Sequence, residues 1–402
     1  MKKITMLDRI RSFSNEELAI YFISISIFLP FYLFLMIFFL YFLVLLLTGK
    51  LTPIIYHLYK APFLLGFIIY SAIISIIATN WIGLVVTILM MLFFIFFRYY
   101  QEIISPELFH TILQTFVMLS FLAVGFAFLE HYQIVQKFDY SFISPAMQRL
   151  HENRAEVTFF NPNYYGLFCC FIIMLCFYFI YVTHSVRWKI ISTVGIIANA
   201  VALNLTQNRS AFPAIICGAI IYLFTTIKNS HAFWISVAFF SFAIWLLFSS
   251  NLGMRMVHVE DSLDVRVSIW QSAVEMIRLN GLLGQGPLTY MHEYPIVNAP
   301  YHEHAHSLYI DTLLSYGYIG VSILLVSCYS LFQQFLTLSR TMIKRPIVGL
   351  ILSFFVVVAV HGVVDLAIFW IQTGFIFLLV ITTMPMWVQY NEEIPYRKKK
   401  TT

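Results

Sequence analysis

The sequence predicts an all-α, polytopic integral membrane bundle of about twelve transmembrane helices with a large external loop. Three observations predict it. Hydrophobic residues fill 60% of the 402 positions and charged residues 11%, far below the roughly 25% charged content of a soluble domain. The apolar residues gather into runs of the length that hydrocarbon requires. Basic residues collect on one side of the layout those runs imply.

The runs lie at 18–29, 31–48, 61–79, 82–98, 108–129, 164–183, 189–206, 211–227, 232–249, 307–329, 346–365 and 370–389. Pro30 divides the first two, which also read as one kinked helix. The segment 1–17 is mixed in charge and leads into a long apolar stretch, so an uncleaved first span is expected rather than a signal peptide. The chain then divides into N-terminal spans (1–129), a first outer loop (130–163), central spans (164–249), a large outer loop (250–306), and C-terminal spans with a basic tail (307–402).

With twelve spans and both termini in the cytoplasm, seven basic residues fall outside: Lys137, Arg149, Arg154, Arg209, Arg255, Arg266 and Arg278. The other 17 of the 24 lie inside, as the positive-inside bias requires. Fusing the first two runs moves only 1–17 across and preserves the later orientation. The +5 formal charge is scattered along membrane flanks and argues against nucleic acid. Cys169, Cys170, Cys176, Cys217 and Cys328 all sit in apolar runs and read as small buried hydrophobes.

Chemistry is expected where basic residues stand against the bias. Arg209, in Thr206-Gln207-Asn208-Arg209-Ser210, marks the outer junction of two spans. It reads either as a snorkelling interfacial arginine or as a fork for an anionic group such as phosphate. Asn208 stands beside it as a hydrogen-bonding partner. Arg266 precedes a loop helix expected from about Val267 or Ser268, with Asp264 as a local ion-pair partner. The Gly281-Leu282-Leu283-Gly284-Gln285-Gly286-Pro287 stretch reads as a structural turn and lacks the Lys-Ser/Thr of a phosphate loop.

His302, His304 and His306 alternate just before a span. Zinc ligation is set aside because no separated carboxylate or thiol completes the set. A general base or substrate-positioning role suits neutral imidazole better. His361 and Asp365, four residues apart in the 346–365 run, form a candidate intramembrane pair, structural or functional. Asn161-Pro162-Asn163 reads as a helix start, with Asn163 a donor-side candidate. Glu107 and Glu130 read as boundary residues.

In their order and common sidedness these motifs resemble the O-antigen ligase and polysaccharide polymerase superfamily. The resemblance rests on Asn161-Pro162-Asn163-Tyr164-Tyr165-Gly166, Thr206-Gln207-Asn208-Arg209-Ser210-Ala211, Arg266-Val267-Ser268-Ile269-Trp270, Gly281-Leu282-Leu283-Gly284-Gln285-Gly286, His306-Ser307-Leu308-Tyr309 and Gly317-Tyr318-Ile319-Gly320. It covers roughly 160–320. Ser307 departs from the His-Asn pair usual in the family.

The resemblance implies a membrane glycosyltransferase of the bacterial inner membrane, working on its outer face. The donor would be an undecaprenyl-diphosphate-linked glycan and the acceptor another glycan. Arg209 and Arg266 would meet the diphosphate, and His306 would be the catalytic residue. Asn163, Asn208, His304, Asp264, His361 and Asp365 would line the substrate site. No metal or other cofactor is implied, whereas membrane lipids and polysaccharide-assembly partners are compatible with the reading. Polymerisation of repeat units is favoured. A ligase or oligosaccharyltransferase is the alternative, and a polysaccharide flippase is the reading outside enzymes.

Overall fold

The structure is a computed structural model that describes residues 6–50, 61–138, 154–227, 259–341 and 345–390, with isolated positions within 54–58 and 230–242. The expected span at 232–249 lies largely outside the described residues, as do 139–153 of the first outer loop, 250–258 of the second, and the basic tail from 391. All regular structure among the described residues is helical.

In chain order the helices are α1 (Met6–Ser12), α2 (Asn15–Ile25), α3 (Phe31–Leu47), α4 (Pro62–Ile77), α5 (Trp81–Ile103), α6 (Pro106–Phe138), α7 (Pro162–Val182), α8 (Val186–Thr206) and α9 (Ala211–Thr226). They continue with α10 (Val259–Asn280), α11 (Thr289–Glu293), α12 (Leu308–Ser327), α13 (Tyr329–Ser339), α14 (Arg345–His361), α15 (Ile371–Ile381) and α16 (Met384–Gln389). Among the described residues, six helical stretches are long and apolar enough to cross a membrane, and four shorter helices are also apolar. The chain is an integral membrane protein.

The apolar pattern explains who sits where. A helix that is hydrophobic all round belongs inside, and 83% of α7's most apolar window is buried. It packs against α8, α9 and α14. Along α9 and α14 the backbones approach closely, since a Cβ on Gly218 would stand 2.6 Å from Val357 Cγ2, the use small residues find between membrane helices. By contrast only 6% of the most apolar window within Leu308–Ser339 is buried, so most apolar side chains of that window face outward.

Element ends differ from the sequence expectation in ways that matter for the site. The chain breaks at Pro30, which is extended at φ −48°, ψ 140°, so α2 and α3 are separate. The loop helix starts at Val259, not near Val267, so Arg266 lies well inside α10. Nothing from 259 to 280 is Pro or Gly, so no residue in the stretch breaks the helix. Helix α14 stops at His361, so Asp365 is not its i,i+4 partner on a helix face. The stop follows from a close crossing: Leu308 N donates to Gly362 O at 2.7 Å, and a Cβ on Gly362 would meet Leu308 Cβ at 2.8 Å.

A second, small hydrophobic cluster lies apart from the main core. Ile269, Ala273 and Met276 of α10 bury with Tyr290 of α11, Ala305, and Leu314 of α12. The 269, 273, 276 spacing is one helical face, and that face ties α10 to the histidine loop.

Candidate functional site

Three short segments converge. The first is the start of α7, where Asn161 caps the helix by accepting from Asn163 N at 2.8 Å and Pro162 takes the first turn. The second is the α8–α9 turn. Gln207 there adopts the left-handed conformation at φ 53° and ends α8, which lets Asn208 fold inward to 2% exposure. Asn208 Nδ2 donates to Asn163 O at 3.1 Å and to His361 Nε2 at 3.0 Å, while Ser210 Oγ donates to Asn208 Oδ1 at 2.7 Å. Gly166 is required one turn into α7 because a Cβ there would stand 2.6 Å from Asn208 Nδ2. The two sequence motifs thus interlock.

The third segment is the histidine loop before α12. His306 has φ 46°, a conformation that costs a non-glycine residue energy and is held by its surroundings. Ala305 N donates to Asp311 Oδ1 at 2.8 Å and His306 N donates to His304 Nδ1 at 3.1 Å. The rings of His304 and His306 lie 4.4 Å apart and those of His302 and His306 5.5 Å apart. Alternation in sequence becomes convergence through a turn, with no strand needed.

Asp365 joins them. One ligand atom each from His304, His306 and Asp365 lies within 4.8 Å of the others. Asp365 is 1% exposed. One of its carboxylate oxygens accepts from Leu366 N at 2.7 Å, while Oδ2 and His306 Nδ1 are buried without hydrogen-bond partners. The separated carboxylate that the sequence did not offer to the histidines is therefore supplied by the fold. Two imidazoles and one carboxylate can act as an acid–base cluster, or can hold a divalent cation of the zinc type with an open position.

Arginine charge surrounds this cluster. Arg266 acts on the proton affinity of Arg154, Arg209 and His306. Burial pushes His306 down to about 3, the charges of His304 and Arg266 adding to it and Asp365 opposing. The imidazole is therefore neutral across the physiological range. Burial likewise lowers Arg209, with Arg266 adding.

Arg154 is the residue that sequence reasoning missed. It donates from Nε to Thr206 O and from Nη2 to Asn163 Oδ1, both at 2.6 Å, and so joins the first two segments. Its one visible signal was membership of the small group of basic residues outside. Asp264 is not brought in: it is exposed, and it forms no ion pair with Arg266 among the described residues. Glu130 is more than a boundary residue, since Oε2 accepts from Glu156 N and Val157 N at 3.0 Å each and tethers the segment carrying Arg154.

The glycine-rich turn is a clamp. Gln285 N and Gly286 N both donate to Ser315 O, at 3.1 and 2.8 Å, and Tyr318 N donates to Gly281 O at 2.9 Å. This strap fits only because Gly317 interrupts α12 at φ 62°, ψ −178°, and Gly284 is left-handed at φ 70°. A Cβ on Gly317 would stand 2.5 Å from Leu283 C. The clamp fixes the end of α10 against the helix that follows His306.

Residues 194–325, about a third of the chain, match the family model described as O-antigen ligase. The resemblance read from the motifs is the one this match finds. The matched stretch contains Arg209, Arg266, His304, His306 and the glycine clamp, while Arg154, Asn163, His361 and Asp365 reach the same site from outside it. No curated protein matches the chain. The match points to a membrane enzyme of the O-antigen ligase and polymerase type.

Proposed function

We propose that the protein transfers a glycan from a lipid-linked diphosphate to a sugar hydroxyl on the outer face of the bacterial inner membrane, most naturally as a polymerase of oligosaccharide repeat units. The observation that carries this reading is the meeting of arginines with a neutral, partnerless imidazole. Arg266 acts electrostatically on Arg209 and His306, and His306 Nδ1 is buried and unbonded.

In this reaction the acceptor hydroxyl oxygen forms a bond to the donor's anomeric carbon. The bond from that carbon to the diphosphate oxygen breaks, and the lipid diphosphate leaves with the electron pair. His306 accepts the hydroxyl proton, with Asp365 placed to stabilise the imidazolium. Arg209 and Arg266 stabilise charge that grows on the leaving group, an interaction stronger in the transition state than in the ground state. A base held near 3 is weak. The diphosphate's negative charge raises its proton affinity on binding, so the base strengthens when the donor is present.

A ligase or oligosaccharyltransferase shares the donor chemistry and differs in acceptor. The test is purified protein with lipid-linked donor and defined acceptors. Arg209→Ala and Arg266→Ala are expected to impair donor use, and His306→Ala to lower transfer at saturating donor. Normal turnover by all three sinks the site, and product found only on a lipid, wall or protein acceptor sinks the polymerase assignment in favour of a ligase. Donor carried across the bilayer with no new glycosidic bond would make the protein a transporter.

A further inference from the structure

Arg154 lies outside the O-antigen ligase stretch, and its environment is unusual for a structural residue. It is largely buried, yet no carboxylate among the described residues lies within ion-pairing distance of it. The charges that act on it are Asp365 and Glu156 on one side and two more guanidiniums, Arg266 and Arg209, on the other. A buried charge without a hydrogen-bonded counter-ion is expensive, and clustering it with like charges adds to the cost. A neutral side chain would serve equally well to bridge a carbonyl and an amide.

Its two bonds show what it holds. Thr206 O is the carbonyl three residues before Arg209, and Asn163 belongs to the start of α7, whose backbone also receives Asn208 Nδ2. The guanidinium therefore fixes the base of the turn that displays Arg209 and brings a third positive charge to a neighbourhood where Asp365 is the leading opposing charge.

We propose that Arg154 is a donor-positioning residue, a third guanidinium that holds the Arg209 turn and adds positive charge that selects an anion of two linked phosphoryl groups over a single phosphate. This rests on the diphosphate-donor reading above. A diphosphate suits three guanidiniums that act on one another, because its negative charge is spread over two phosphoryl groups and relieves their mutual repulsion more fully than one phosphate does.

The test uses full-length protein in detergent or nanodiscs, with inorganic pyrophosphate and inorganic phosphate as competitors of the lipid-linked donor, plus thermal unfolding of each variant. Wild type should be inhibited by pyrophosphate well below the phosphate concentration needed. Arg154→Gln should weaken pyrophosphate inhibition and raise the donor KM ten-fold or more, the size expected for one charge-assisted interaction. The acceptor KM should change less than about three-fold. Arg154→Lys, which keeps the charge and loses the fork, should recover most of the pyrophosphate discrimination.

A purely structural clasp gives a different pattern: both variants unfold earlier while the pyrophosphate inhibition constant and donor KM stay at wild-type values, and that result overturns the proposal. If Arg154→Gln does not fold, Arg154→Met, which keeps the length of the side chain and loses its charge, takes its place: weakened pyrophosphate inhibition supports the proposal, and inhibition at the wild-type value overturns it. Failure of the underlying reading shows separately, as wild-type turnover retained by Arg209→Ala and His306→Ala.

Discussion

Asn208 and His361, 153 positions apart in the chain, are joined by a 3.0 Å hydrogen bond in which the amide donates to the ring Nε2. The bond fixes the imidazole as the tautomer protonated on Nδ1 and ties the arginine turn to the end of α14, from which the chain runs on to Asp365. Arginines and histidines that the sequence presents as unrelated motifs share one polar framework through this pair.

Asn208→Ala removes that framework while leaving every charge in place. It strands the buried His361 Nε2, at a desolvation cost of about 1–3 kcal/mol. A lower unfolding temperature and a several-fold higher donor KM are expected. Unchanged values for both would show that the turn holds itself.

Gly317→Ala tests the clamp. Its φ and ψ lie in a region essentially reserved for glycine, where a side chain costs of order 1–3 kcal/mol, before counting the collision with Leu283 C. Transfer is expected to fall at least about ten-fold while circular dichroism keeps its helical signature. Full activity in this variant would mean that Arg266 does not depend on the strap for its place.

The acid limb of the pH profile carries the sign of the His306 shift. In the free protein burial depresses His306 to about 3 from an ordinary 6.5, so kcat/KM should not decline through His306 as pH falls from 8 to 5. Donor charge raises the affinity for a proton in the complex, so the kcat limb should appear at higher pH than the kcat/KM limb. By linkage, donor binding then tightens as pH falls below the value in the complex, levelling off near the free-protein value of about 3. A kcat/KM limb near 6.5 that vanishes in His306→Gln would contradict the burial argument.

Chelation separates the two uses of His304, His306 and Asp365. If they act as an acid–base cluster, turnover survives EDTA and exhaustive dialysis, and added zinc inhibits by occupying the base. Loss of turnover on chelation, restored by one divalent cation in wild type and not in Asp365→Ala, would make the cluster a metal centre instead.

The all-helical membrane architecture was written in local sequence, because a bilayer demands long apolar runs with their backbone bonds satisfied internally, and composition alone reveals those. Arg209 and His306 stood out as candidates for a related reason, as polar groups at the outer ends of apolar runs, and Arg266 as a basic residue in an outer loop. What depended on tertiary structure was everything set by approach between distant segments. Arg154 looked like one of several outer basic residues until the start of α7 and the α8–α9 turn closed around it. Asp365 looked like a helical partner of His361 until the crossing of Leu308 over Gly362 ended α14 and turned the carboxylate toward His304 and His306. Periodicity reports which face of one element is apolar; it carries no information about which two elements touch, and the chemistry of this site lies in those contacts.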